Sequence, residues 1–331
     1  MNGFQECGIV RSVGNRIAVT GAAGWIGREV CNWLESQGIA VRRLGRRGNH
    51  PHVTQLDLNS ESTDASWDEA IRGHSAVVHC GGHVHKTIET PEECRLFAAV
   101  NVEGTWRLLN ACRRVGVDRI VFVSSSAVYD WRVGLPAKET TFLRPTTAYA
   151  ASKLEAERLV CESGLDWRIA RLATVYGRGD RANFARLAAS LKRSRFVIPG
   201  DGRWRKSVLP VARAAELMGR LVLLGAEAQR IILNLAAPSA PSLTEICNAF
   251  GQACGFPPAR HVPLFGLKVA ALLGDGLKSL RLPFPLTSEM LLKLTTSTVL
   301  DVSRMQALFP DMSWVTFAQS LEADANYYLS L

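Results

Sequence analysis

The feature that most limits what this chain can fold into is a glycine triplet at a strand-to-helix junction. Residues 16–20 read RIAVT, a short apolar run of buried-strand type, and lead directly into TGAAGWIG over residues 20–27. Residues 25–37 then carry a helical pattern that stops at Gly38, a residue suited to a left-handed cap. Gly21 permits the tight turn, Gly24 lets the main chain approach a pyrophosphate, and Gly27 lets the helix lie close on the strand. The helix N-terminus adds N–H groups and partial positive charge for the phosphates. Strand, turn and helix in this order are the opening of a dinucleotide-binding βαβ unit.

The rest of the chain continues the alternation. Strand candidates at 39–44, 52–58, 75–80, 119–124 and 167–175 are interleaved with helices, most clearly at 91–115, 146–163 and 180–193. This predicts an α/β fold, a Rossmann-type doubly wound parallel sheet covered on both faces. After about residue 177 the alternation weakens and the chain is richer in proline and helix. Ser242 and Glu245 open one of these later helices as a capping box. The reading is an N-terminal leader at 1–14, an NAD(P)-binding domain over 15–177 and a smaller mixed substrate-binding lobe over 178–331. A late strand near 230–236 is expected to return to the main sheet.

Composition narrows the setting. At 331 residues the chain exceeds one ordinary compact domain, and 39 basic against 30 acidic residues give a net charge of +9. Such a balance points to an anionic partner. The eight cysteines form no CxxC pair and fit neither a zinc site nor a disulfide framework. Reduced thiols in a cytoplasmic protein are expected, with no metal. His83 and His85 lack a third ligand. The N-terminus has no signal-peptide pattern. The apolar stretch 262–286 is broken by Lys268, Asp275, Lys278 and Arg281, so no transmembrane segment is expected. Its first part, 262–273, reads as an ordinary packed helix.

A second constellation carries the chemistry. Ser124, Ser125 and Ser126 end the strand RIVFV, and Tyr149 and Lys153 open a later helix four residues apart, on one face. A free tyrosine titrates near ~10, so acting as a base near neutrality needs roughly 4 kcal/mol of added preference for phenolate. The Lys153 ammonium and an oxidised nicotinamide supply it. A strand-end serine holds the substrate oxygen while Tyr149 moves its proton and a hydride passes to or from the nicotinamide. At the end of the second strand stand Arg46 and Arg47 in place of the acid that usually reads an NAD ribose. NADP is therefore favoured over NAD.

In its ordered motifs the chain resembles the extended short-chain dehydrogenase/reductases, the NAD-dependent epimerase/dehydratases. The matching segments are TGAAGWIG, LDL (56–58), VVHCGG (77–82), NVEGT (101–105), VFVSSSAVY (121–129), YAASK (149–153), RLATVYG (171–177) and RKSVLPV (205–211). The resemblance implies that Gly21, Gly24 and Gly27 line the cofactor phosphates, with Trp25 and Ile26 beside them. It implies that Asp57 and Leu58 hold the adenine, that Gly81 and Gly82 pass the ribose and nicotinamide, and that Asn101 supports the neighbouring loop. Tyr149 and Lys153 are the implied catalytic pair. The resemblance also implies Ser125 as the catalytic hydroxyl, since the family places it four residues before the tyrosine of the VY pair, here Tyr129, with Ser126 the adjacent candidate on the substrate side. In sugar-nucleotide members an asparagine and a later arginine grip the diphosphate; here these are Asn183 and Arg205. A homodimer through the helices at 91–115 and 146–163 is implied as well.

The pattern departs from strict UDP-galactose 4-epimerases at Thr174 and at Ala212-Arg213, and Ser126-Ala127 stand where dehydratases carry an acid. The expected activity is a UDP-sugar 4-epimerase or a 4-ketoreductase of surface-polysaccharide synthesis. Rival readings are a reductase of an apolar alcohol, of hydroxysteroid or dihydroflavonol type, and a non-catalytic dinucleotide-sensing or RNA-binding protein. No basic patch interleaved with aromatics supports nucleic acid as a partner.

Overall fold

The computed structural model describes residues 16–46, 52–59, 62–84, 90–279 and 286–331. The leader at 1–14, Arg47, His85 and Lys86 lie outside the described residues.

The strands are β1 (Arg16–Thr20), β2 (Ala40–Gly45), β3 (Val53–Gln55), β4 (Ala76–His79), β5 (Arg119–Ser125), β6 (Asp166–Leu172), β7 (Thr174–Tyr176), β8 (Val197–Pro199), β9 (Val208–Pro210), β10 (Ile231–Leu235) and β11 (Arg260–Val262). The helices used below are α1 (Trp25–Ser36), α2 (Asp64–Ile71), α3 (Pro91–Leu96), α4 (Gly104–Val115), α5 (Ala148–Cys161), α6 (Asn183–Lys192), α7 (Val211–Leu223), α8 (Leu243–Cys254), α9 (Leu264–Ser279) and α10 (Ser288–Leu294).

Seven strands form one sheet in the order β10-β6-β5-β4-β1-β2-β3, and every pairing in it is parallel. The expected doubly wound sheet is thus present. Its central strands bury both faces: Ile17, Ala18, Val19, Val77, Val78, Ile120 and Val121 are all solvent-free. That is why they are uniformly apolar instead of alternating. On one side Trp67 of α2, Leu108 and Cys112 of α4 and Val160 of α5 pack against Val77, Ile120 and Ile169.

The chain divides into two compact units. The first takes in residues up to Asp130, Phe142–Leu172 and Val211–Leu235, and the second Trp131–Thr141, Ala173–Pro210 and Ala236–Leu331. The apolar run at 167–175 does not stay in one sheet. β6 ends at Leu172, and β7 pairs instead with β9 in a separate two-stranded ladder. Residues 173–177 therefore belong to the second unit, and what returns to the first is α7 together with β10, which joins the sheet beside β6. The third strand is shorter than its pattern, three residues in place of 52–58.

The second unit has its own core, in which Phe184, Phe250, Phe317, Tyr176 and Tyr328 meet. Ser242 and Glu245 form the expected capping box at α8. Two further expectations need correction. The helix at 91–115 runs without a break but is not α-helical throughout: a π-helical stretch, Phe97–Glu103, lies between α3 and α4 and buries Phe97 and Asn101. And 262–273 is not an ordinary packed helix, since α9 buries Leu267 and Ala271 yet leaves Phe265, Leu272 and Leu273 exposed.

Candidate active site

The C-terminal ends of β1 and β4 meet where the strand order reverses, the position at which open α/β sheets bind ligands. Thr20 and His79 tie these ends together: Thr20 Oγ1 lies 2.6 Å from His79 Nδ1, and the Gly81 amide donates to Thr20 Oγ1 at 3.1 Å. Burial, with the Lys153 charge nearby, pulls His79 down to about 3, so it is a neutral structural bridge.

The glycine turn has the shape its sequence requires. Gly21 adopts φ +67°, and a Cβ there would stand 2.7 Å from the Gly81 backbone. A Cβ on Gly27 would collide with the Gly21 carbonyl. Gly24 is exposed and is the N-cap of α1, with no side-chain cap. A cradle exposed to solvent at Gly24, closed to side chains at Gly21 and Gly27 and facing an uncapped helix start fits a dinucleotide pyrophosphate. Trp25 and Ile26, both half-buried, form the first turn of α1. Leu58 lies against Gly81, where a Cβ would reach its Cδ1 at 2.5 Å, and Asp57 Oδ1 accepts from the Asn59 amide at 3.0 Å. Arg46 is exposed just past β2.

The loop after β4 is held from the π-helical stretch. Buried Asn101 accepts from the His83 amide at 2.7 Å and donates to the His83 carbonyl at 3.1 Å and to Ser152 Oγ at 2.9 Å. This fixes Gly82 beside α5, where a Cβ on Gly82 would stand 4.0 Å from Lys153 Nζ. His83 Nε2 lies 2.6 Å from Glu93 Oε2.

On α5, Tyr149 and Lys153 share one face. Tyr149 is hydrogen-bonded to the Ser125 side chain. Its ring meets Phe97 edge-on, with centroids 5.8 Å apart. Burial raises the Tyr149 phenol above its ordinary value, and the Ser125 bond works the other way. Lys153 is 6% exposed, with Nζ 4.3 Å from the Phe122 ring centroid. Burial draws its ammonium down to about 8, against the opposing pull of Glu157.

The three serines at the end of β5 separate. Ser124 is buried and donates to Glu157, Ser125 meets Tyr149, and Ser126 begins a 3-10 turn, half-buried. Behind them runs a buried polar chain that motif reading passed over. Arg171 donates to Glu157 at 2.7 Å and to the Tyr129 hydroxyl at 3.0 Å, and Tyr129 donates to Asn234 at 2.6 Å. A signal for Glu157 was available: it follows Tyr149 and Lys153 at the next four-residue step along α5.

Asn183 and Arg205 lie in the second unit, both exposed. Asn183 is the first residue of α6, whose N-terminal amides are capped by buried Asp180. Arg205 donates through Nε to the Ala240 carbonyl at 2.8 Å. Among the described residues no group of three His, Cys, Asp or Glu side chains could hold a metal.

Fold and site together define a dinucleotide-binding α/β enzyme of the extended short-chain dehydrogenase/reductase type. The chain belongs to the NAD dependent epimerase/dehydratase family, whose profile matches residues 17–234. It is 32% identical over 158 residues to a UDP-glucose 4-epimerase of Azospirillum brasilense, a match covering 45% of this chain and 44% of that enzyme. It is 30% identical over 274 residues to the 4-hydroxy-2-methyl-3-oxo-4-farnesyl-3,4-dihydroquinoline-1-oxide ketoreductase of Stigmatella aurantiaca, covering 79% of this chain and 80% of that protein. Among solved structures, the UDP-glucose 4-epimerase of Thermus thermophilus in complex with NAD superposes with a TM-score of 0.70 at 23% identity, over 95% of this chain and 98% of the other. That likeness is one of fold.

Proposed function

We propose that the protein is an NAD(P)-dependent oxidoreductase that moves a hydride at a carbinol or keto carbon of a nucleotide-diphosphate sugar. It acts as a UDP-sugar 4-epimerase or 4-ketoreductase in surface-polysaccharide synthesis, in the cytoplasm. The observation that carries this reading is Tyr149 set against Ser125, one helical turn from buried Lys153, at the C-terminal ends of the central strands beside the glycine turn.

Gly21, Gly24, Trp25, Ile26 and Gly27 hold the cofactor phosphates, Asp57 and Leu58 the adenine, and Gly81 and Gly82 the ribose and nicotinamide, with Asn101 fixing their loop. When bound, the nicotinamide supplies or accepts the hydride. Ser125 orients the substrate oxygen against the phenol, with Ser126 beside it. Tyr149 gives its proton to that oxygen in reduction and takes it back in oxidation. Burial keeps the phenol protonated, which readies it for reduction. The Lys153 ammonium favours phenolate when the proton must be taken. Asn183 and Arg205 grip the nucleoside diphosphate, the guanidinium fork matching phosphate oxygens. Exposed Arg46 meets a 2′-phosphate, so NADP is the preferred cofactor. The chain works as a homodimer.

The test is to denature the purified protein, identify any released nucleotide, and titrate the emptied protein with NADPH and NADH. Tightly held NAD(H) indicates a hydride returned to the same substrate, hence epimerisation, and removes the reading of Arg46. An empty protein that binds NADPH reversibly indicates a ketoreductase. One observation favours a second reading, reduction of an apolar ketone: the long match to a ketoreductase whose name carries a farnesyl group. Arg205→Ala separates the two, since it abolishes turnover of a sugar nucleotide and spares that of an apolar ketone.

A further inference from the structure

The proposed chemistry makes no use of the exposed side of α9. The inner side of this helix is ordinary: Leu267 and Ala271 pack with Leu291 of α10 in a small apolar cluster. The outer side is apolar too. Phe265 is 80% exposed, Leu272 66%, Leu273 64% and Val269 45%. Positions 265, 269, 272 and 273 fall on one stripe of a helix. Leu292 of neighbouring α10 is 64% exposed and extends the apolar surface. Five large apolar side chains gathered on two adjacent short helices are not the scattered exposure that folded surfaces normally tolerate.

The charges around the stripe say what covers it. Lys268 on α9 and Arg260 on β11, just before it, are exposed. Against these and Lys293 stand two acids of the two helices: Glu289 is offset by Lys293 at 2.7 Å, and Asp275, which keeps its charge, accepts from the Ser288 amide at 3.1 Å. The surplus charge beside the stripe is therefore positive, on a chain of net charge +9. A second copy presenting the same stripe would set like charges against each other. An apolar stripe edged by cations matches instead the polar–apolar boundary of an anionic membrane, where the helix lies in the surface plane. No described helix is long and apolar enough to cross a membrane. At 16 residues α9 spans about 24 Å, short of the ~30 Å hydrocarbon core.

We propose that the exposed face of α9, with Leu292 of α10, docks the protein onto the surface of a bilayer rich in anionic phospholipid. The docking is independent of which substrate the active site takes.

The experiment is vesicle flotation of the full chain with equimolar phosphatidylglycerol and phosphatidylcholine, and with phosphatidylcholine alone, at low and high salt. The expected result is flotation with the anionic vesicles, weakened several-fold by salt and largely lost on neutral ones. Leu272→Ser combined with Leu273→Ser should reduce binding at least ten-fold while the melting temperature and dinucleotide affinity stay unchanged. Lys268→Glu, which leaves the apolar stripe intact, should reduce it several-fold. The proposal is overturned if the wild type does not float with anionic vesicles, or if both variants float as well as wild type. It is equally overturned if light scattering shows that the double substitution splits an oligomer, since the face then belongs to a second copy.

Discussion

Lys153 shows how function sets the terms of burial at a single residue. An ammonium 6% exposed, beside the Phe122 ring, is unfavourable, and its fall from the ordinary 10.5 to about 8 corresponds to roughly 3 kcal/mol. The folded-state value is lowered, so the penalty is fully present below pH 8 and disappears as pH rises towards 10.5, where the unfolded chain also loses its proton. Lys153→Met should therefore melt at a higher temperature than wild type at pH 7, with a gap that narrows by pH 10, while turnover is lost. Melting curves at the two pH values check this, and a gap independent of pH would refute it. Activity that depends on the Lys153 charge should likewise decline above about pH 8. Tyr149→Phe removes the proton carrier, so kcat should fall by roughly 10²–10⁴ with little change in dinucleotide affinity. The Glu157–Arg171 pair behaves differently again. Both partners are nearly solvent-free, at 3% and 2% exposure, and Arg171→Met would leave the Glu157 carboxylate without its cation. The loss should be about 3–5 kcal/mol, read from the urea midpoint.

At the scale of elements, the start of α1 is set by contacts of the main chain with itself. Gly27→Ala forces a methyl into the Gly21 carbonyl, so α1 must move away from β1 and take the phosphate cradle with it. Dinucleotide affinity should drop at least ten-fold in a fluorescence titration, and an unchanged affinity would show that the turn can relax. This junction was legible in the sequence because three glycines, a strand and a helix each demand the same local geometry. So was the parallel sheet, whose apolar central strands announce burial on both faces. The π-helical stretch Phe97–Glu103 was not legible, since one extra residue in a turn hardly disturbs a helical pattern. Its reason lies in a distant contact, Asn101 reaching the His83 backbone and Ser152. The β6–β7 boundary was hidden for a similar cause. The apolar run is continuous in sequence, and only the pairing of β7 with β9 separates the two strands. The strand-end serines were partly legible: the family resemblance had already pointed to Ser125, the serine that meets Tyr149, while the burial of Ser124 against Glu157 depends on a contact that spacing does not show.

At the scale of the whole molecule, the second unit was the least legible part, because its order depends on three-residue strands such as β8 and β11 that pair across long stretches of chain. Periods that short leave almost no pattern. The assembly, by contrast, has a surface feature to argue from. A shallow groove of about 680 Å³ is lined by Ala98, Ala99 and Val102 of the π-helical stretch, Trp106 of α4 and Leu159 of α5. Trp106 is 52% exposed there. These are the helices through which the homodimer is proposed, and a large aromatic in a shallow apolar groove has the character of an interface anchor. Arg95 and Glu155 at the same groove give it charges of both signs, so two copies can meet there despite a net charge of +9 each. Light scattering should give twice the chain mass of 36.2 kDa for wild type. Trp106→Glu, which buries a carboxylate in that contact, should yield monomers that retain dinucleotide binding, because the phosphate cradle and the Ser125, Tyr149 and Lys153 set use no residue of the groove. A monomeric wild type would remove the dimer from the proposal, and a Trp106→Glu dimer would move the interface to another face.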